Sequence, residues 1–168
     1  MVNFFRFTGV ALAFLLAAPM ANAQSAAVSL GQPITDPDAP IEVTAESLSV
    51  DRESGNAIFV GNVYVVQGEM TLNADKVEVL YSEDADDDEQ LREVIATGNV
   101  VLVNGEETAA SDYGVLYPPR DTVVMTGNVL LTQGRSIISG DTFNWDMVTG
   151  QGTMEGRVRS VLQQRASE

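Results

Sequence analysis

The chain contains neither histidine nor cysteine. That removes the commonest general base, a frequent metal ligand and the most readily activated nucleophile before any position is considered. What remains for polar chemistry is carboxylate. Glu106 and Glu107 are adjacent, Asp141 precedes Asp146 by five residues, and residues 83–90 read Glu-Asp-Ala-Asp-Asp-Asp-Glu-Gln. Two carboxylates divide acid and base work only when their surroundings push their pKa values apart. These pairs fall in turns or alternating segments where both groups are solvated, and no serine has a base to activate it. No catalytic residue is therefore assigned. The acidic octet lacks the Asp-x-Asp-x-Asp-Gly order and closing Glu of a calcium loop. It reads first as a solvated hairpin loop, with cation binding or contact with a basic partner as lesser readings. No metal site and no cofactor is assigned.

The other chemistry open to this chain is the burial of apolar surface, and that depends on strands. Ile41-Glu42-Val43, Leu48-Ser49-Val50 and Val77-Glu78-Val79 alternate with period two, the mark of a strand with one buried face. Between such runs lie Asp51–Asn56, Gln67-Gly68-Glu69, Asn104-Gly105-Glu106 and Gln133-Gly134-Arg135, all of hairpin-turn composition. No stretch of ten residues has a capped 3.6-residue apolar period. The pattern predicts an all-β chain.

Those strands repeat. Gly61-Asn62-Val63, Gly98-Asn99-Val100, Gly127-Asn128-Val129 and a degenerate Gly156-Arg157-Val158 are spaced 37, 29 and 29. An upstream acidic marker keeps step: Ala45-Glu46, Ala74-Asp75, Ser111-Asp112 and Gly140-Asp141. The acidic octet accounts for the one unit that is eight residues too long. Aligned on the marker, Leu48, Val77, Gly114 and Phe143 form one column and Val50, Val79, Leu116 and Trp145 the next. Aligned on the triplet, Val63, Val100, Val129 and Val158 superpose, followed two on by Val65, Leu102, Leu131 and Ser160. Side chains alternate across a sheet, so these columns are expected to face inward. Four such units fit a β-solenoid, a sandwich or a jelly roll.

The N-terminus carries an export pattern. Arg6 precedes the apolar stretch Val10–Ala18, Pro19 breaks it, and Ala21-Asn22-Ala23 offers small residues at the cleavage positions. The run falls short of the ~20 residues that span a bilayer, so residues 1–23 are expected to be a signal peptide cleaved after Ala23. Residues 24–40, with Pro33, Pro37 and Pro40, are expected to be a flexible lead-in. The β domain is expected over 41–162, with 163–168 as a tail. Without Arg6, eight basic residues face twenty-four acidic ones, a net charge of −16 that repels nucleic acid and anionic membrane surfaces.

Pro40-Ile41-Glu42-Val43, Gly61–Gly68 and Leu72-Asn73-Ala74-Asp75-Lys76-Val77 together resemble the OstA-like family, and Thr126–Val129 and Gly140-Asp141 fit the same pattern. The resemblance covers roughly Ile41 to Leu162. It implies a twisted antiparallel β-jelly roll, open at both ends, whose interior receives the acyl chains of lipopolysaccharide. It further implies periplasmic domains stacked head to tail, edge strand to edge strand. Such a stack bridges an inner-membrane export complex and an outer-membrane translocon. Exposing one fourteen-carbon chain to water costs on the order of 10 kcal/mol, so such a carrier needs a continuous apolar slot. The inward positions that would supply it are Ile41, Val43, Leu48, Val50, Phe59, Val63, Val65, Leu72, Val77, Val79, Leu102, Leu116, Val129, Leu131, Phe143 and Trp145. Periodicity alone does not distinguish a slot from a filled sheet core. Few basic residues are present to capture phosphate, so acyl burial is expected to dominate. Two rival readings stay open: a membrane-anchored component of the same machine, and an envelope scaffold that binds no lipid.

Overall fold

The computed structural model describes residues 25–29, 39–82 and 90–161. Within them the chain forms eleven strands: β1 (Ser25–Ser29), β2 (Glu42–Thr44), β3 (Ser47–Val50), β4 (Ala57–Gln67), β5 (Met70–Tyr81), β6 (Leu91–Asn104), β7 (Glu107–Tyr117), β8 (Thr122–Gln133), β9 (Ser136–Asp146), β10 (Gln151–Glu155) and β11 (Arg159–Val161). All pair antiparallel in one sheet of order β1-β10-β9-β8-β7-β6-β5-β4-β2. Beside β2, β3 covers the other half of β4, and β11 lies beside β10 on β9. The two ends of the sheet do not pair with each other, so the sheet stays open.

The repeat is a hairpin of two strands, and its Gly-Asn step is a β-bulge. Each pairing from β4 to β9 shifts register near mid-strand, as between Val60 and Val63 or Thr126 and Val129, and β5–β6 shifts again between Leu80 and Tyr81. Gly127 (φ +80°) and Asn128 (φ +50°) both adopt the left-handed region, open to glycine and tolerated by asparagine. The Asn128 amide then donates to Asp112 Oδ2 at 2.7 Å. Asn99 donates likewise to Asp75 at 2.9 Å, and Asn62 donates to Glu46. At the last rung Arg157 replaces asparagine and grips both oxygens of Asp141, at 2.8 and 3.3 Å. The acidic marker of the sequence is thus the partner of the bulge. Bulges bend strands and add twist, so one sheet wraps round its own apolar face. The strand line breaks outright at two rungs: β2 and β3 are halves parted at Ala45-Glu46, β10 and β11 halves parted at Gly156-Arg157.

At one margin of the sheet the turns are tight. Gly68-Glu69, Gly105-Glu106 and Gly134-Arg135 each join paired residues (Gln67–Met70, Asn104–Glu107 and Gln133–Ser136) with glycine at positive φ in the first central position, the type II′ pattern. The opposite margin carries the longer connections, including the one that begins at Ser82 and closes through Ser82 N–H to Gln90 O at 2.9 Å. Residues 83–89 of the acidic octet lie outside the described residues, as do 1–24 and 162–168. The expected signal peptide and C-terminal tail therefore fall there too.

Two expectations need correction. Ser25–Ser29, within the segment expected to be a flexible lead-in, form β1 and pair along β10 from Ser25–Glu155 to Ser29–Gln151. The outer edge of β10 otherwise presents unpaired backbone groups, and satisfying them outweighs the weak strand signal of small residues. Leu48 and Val50, expected to line the interior, share the inward side of their partners Phe59 and Ala57 but are 55% and 57% exposed. They sit on an end strand with no neighbour beyond it.

Candidate functional site

The interior divides into a filled half and a hollow half. Toward the C-terminal end Trp145, Phe143, Met154, Leu131 and Val129 are fully buried and pack on one another. Toward the N-terminal end lies an apolar cavity of about 320 Å³. Residues from both halves of the bent strands line it, among them Phe59, Val94 and Ala96 before the bulges and Val65, Val100 and Leu102 beyond them. None of its lining residues is charged; Gln67 and Tyr81 supply its few polar atoms.

Nine of the sixteen sequence-derived positions meet at this cavity: Ile41, Val43, Phe59, Val65, Leu72, Val77, Val79, Leu102 and Leu116. Five others, Val63, Val129, Leu131, Phe143 and Trp145, are buried in packed core and do not line it. Leu48 and Val50 lie on the exposed end strand. One repeat column therefore serves three roles along the sheet. Val50 is exposed, Val79 and Leu116 line the cavity, and Trp145 fills the core.

Apart from Phe59, the lining residues of two more columns escaped the sequence reading, although a signal for them exists. Two and four residues before each bulge glycine stand Phe59, Ala96, Met125 and Met154, and Ala57, Val94, Val123 and Gly152. These are two further inward columns, and six of their eight members line the cavity. Gly114 is the other signal. It holds the place of Leu48, Val77 and Phe143 in the first column, lines the cavity, and supplies no side chain. A Cβ there would meet Val100 Cγ1 at 3.5 Å, an ordinary contact, so the missing side chain is room in the cavity rather than a backbone requirement. Met125 and Met147 close the cavity toward the filled half, and unbranched thioethers adapt readily to a changing occupant.

Of the carboxylates that invite acid-base readings, Asp141, Asp146 and Glu107 have structural work. Asp141 holds Arg157, and that hydrogen bond pulls its pKa below the ordinary 3.8 while raising the guanidinium further. Asp146 accepts the Thr149 and Val148 amides at 2.8 and 3.0 Å, and Asp51 accepts those of Ser54 and Glu53 at 2.9 Å. Both are likewise held low by these turn hydrogen bonds. Glu107 accepts the Gln133 side-chain amide at 3.1 Å. Among the described residues no group of three or more acids is placed to hold a metal ion.

The arrangement has counterparts. The crystal structure of LptH, the LptA-homologous periplasmic component of the lipopolysaccharide transport device of Pseudomonas aeruginosa, superposes with a TM-score of 0.68. It covers 77% of this chain and 99% of that one at 19% identity, a likeness of fold. An uncharacterized protein of Rhizobium meliloti is 29% identical over 166 residues, spanning 92% of this chain and 86% of that protein. The lipopolysaccharide export system protein LptA of Escherichia coli K12 is 32% identical over 117 residues. That match spans 66% of this chain and only 61% of the Escherichia coli protein. The family model described as LptA/(LptD N-terminal domain) LPS transport protein matches residues 42–151, from β2 into β10. The chain belongs to this family of lipopolysaccharide transport proteins.

Proposed function

We propose that this chain is a periplasmic lipopolysaccharide-binding bridge protein. It passes its cargo from an inner-membrane export complex toward an outer-membrane translocon by sheltering acyl chains in the apolar interior, and it carries out no catalysis. The observation that carries this reading is the uncharged cavity between the bent halves of β4–β8. A cavity of about 150 Å³ lined by aliphatic and aromatic groups holds benzene. On that scale 320 Å³ takes roughly a dozen carbons, close to one acyl chain. The resting cavity thus seats a single chain, and a lipid with several must spread the open sheet. The head group stays outside, because the cavity lining offers it no cation.

Export by cleavage after Ala23 and a domain spanning 41–162 complete the reading. End-to-end association is part of it, since large apolar side chains stand exposed at both ends of the sheet. Ile41, Leu48 and Val50 occupy one end, Ile137 and Val161 the other.

Photo-crosslinking amino acids at Val79 and Leu116 test the central claim. Crosslinks to lipopolysaccharide in intact cells are expected at both positions. Crosslinks at neither, with the protein folded and exported, would favour a scaffold that binds no lipid. N-terminal sequencing of the exported protein separates a soluble carrier from a membrane-anchored component.

A further inference from the structure

The repeat dictates what strand should follow β10 and β11. In every unit the strand bearing the Gly-Asn bulge is followed in the sheet by an acid-bearing strand: β4 by β5, β6 by β7, β8 by β9. Among the described residues no acid-bearing strand follows the fourth bulge, at Gly156-Arg157. The line β2–β3, with Glu46 at its break, is such a strand, and it stands at the opposite end of the sheet.

The register can be carried over residue by residue. In the first unit boundary Val60, Phe59, Ile58 and Ala57 pair with Lys76, Val77, Glu78 and Val79. Stepping by the repeat, Glu155, Met154, Thr153 and Gly152 should then face Ser47, Leu48, Ser49 and Val50 of a second copy. In the structure these four face Ser25, Ala26, Ala27 and Val28. Direction and register are the same, and Ser-Ala-Ala-Val stands where Ser-Leu-Ser-Val is due.

We propose that β1 is a displaceable cap on the outer edge of β10, holding the place that β3 of a second copy takes in end-to-end association. The proposal rests on the end-to-end association proposed above. Docking brings Leu48 and Val50, exposed in the single chain, beside Met154 and Gly152 on the inward face, where their repeat column belongs. It also sets Glu42 and Glu46 at one end near Arg157 and Arg159 at the other. β1 suits a temporary occupant: it is a strand of only five residues, paired with β10 through backbone hydrogen bonds. Their net gain is no larger than the entropy lost in ordering the strand.

The chain lacks cysteine, so engineered disulfides report cleanly. Residues facing each other across antiparallel strands lie within disulfide reach. With the chain Gln24–Glu168, Ala27→Cys with Thr153→Cys should form an intrachain bond and lower end-to-end association at least tenfold in sedimentation, reversed by reductant. Ser49→Cys with Thr153→Cys should give a ladder of linked copies, and deleting residues 24–38 should strengthen that ladder at least tenfold. Equal ladders with and without β1, or unchanged association of the locked chain, would overturn the cap while leaving stacking intact. A ladder from neither form would overturn stacking, and the cap with it.

Discussion

At the scale of single residues, Gly114 and Gly127 make opposite demands. Gly114 has ordinary backbone geometry and an open position on the cavity wall. Gly114→Phe should fill much of the cavity and weaken binding of a single-chain fluorescent fatty acid by about tenfold or more, roughly 1.4 kcal/mol. Overpacking should cost only ~1–3 kcal/mol of stability in urea unfolding. Unchanged binding in a folded variant would place the lipid site elsewhere. Gly127 is constrained by both φ and space, since a Cβ there would sit 2.7 Å from Asp112 Oδ2. Gly127→Ala should therefore destabilise by about 1–3 kcal/mol through backbone strain, with no direct effect on the cavity. Trp145→Ala, in the filled half, should cost ~3–5 kcal/mol. The sequence revealed which way Val79, Leu116 and Trp145 point, because alternation sets direction. It did not reveal that two of them border empty space and the third fills it. Depth depends on how far the bent halves of the sheet close, which is a property of the whole roll.

At the scale of elements, the turn carboxylates predict an acid response. Asp51 and Asp146 each accept two backbone amides, which lowers their pKa in the folded chain relative to the unfolded one. Their contribution is therefore complete above the unfolded value near 3.8 and fades as pH falls below it toward the folded values. Asp51→Asn with Asp146→Asn should flatten the stability profile below pH 4 and leave its shape between pH 6 and 8 unchanged. A wild-type profile already flat below pH 4 would contradict the assignment. The element scale is also where sequence reading succeeded and failed most plainly. The 29-residue period was visible because every unit needs the same Gly-Asn bulge and the same acid to hold it. β1 was not visible, because Ser-Ala-Ala-Val-Ser shows neither alternation nor strong strand propensity. Its pairing with the open edge of β10, rather than its own composition, makes it a strand.

At the scale of the whole molecule, charge and end chemistry pull against each other in the proposed self-association. Two copies of the chain, cleaved after Ala23 as proposed, would each carry a net charge of −16, spread over their full surfaces. At 0.01 M salt the screening length is about 30 Å, so much of each copy repels much of the other. At 0.15 M it is about 8 Å, and only charges at the junction still interact. In the proposed junction Glu42 and Glu46, the latter already held by Asn62, come near Arg159 and near Arg157, which Asp141 already holds, exposed pairs worth ~0–1 kcal/mol each. Those few pairs cannot offset the low-salt repulsion, whereas contact between Leu48, Val50 and the β10 edge is insensitive to salt. End-to-end association should thus strengthen steeply from 0.01 to 0.15 M sodium chloride and level off above that. Sedimentation across that range checks it. A steady weakening with salt would mean that the junction is held by ion pairs rather than by strand addition and apolar contact.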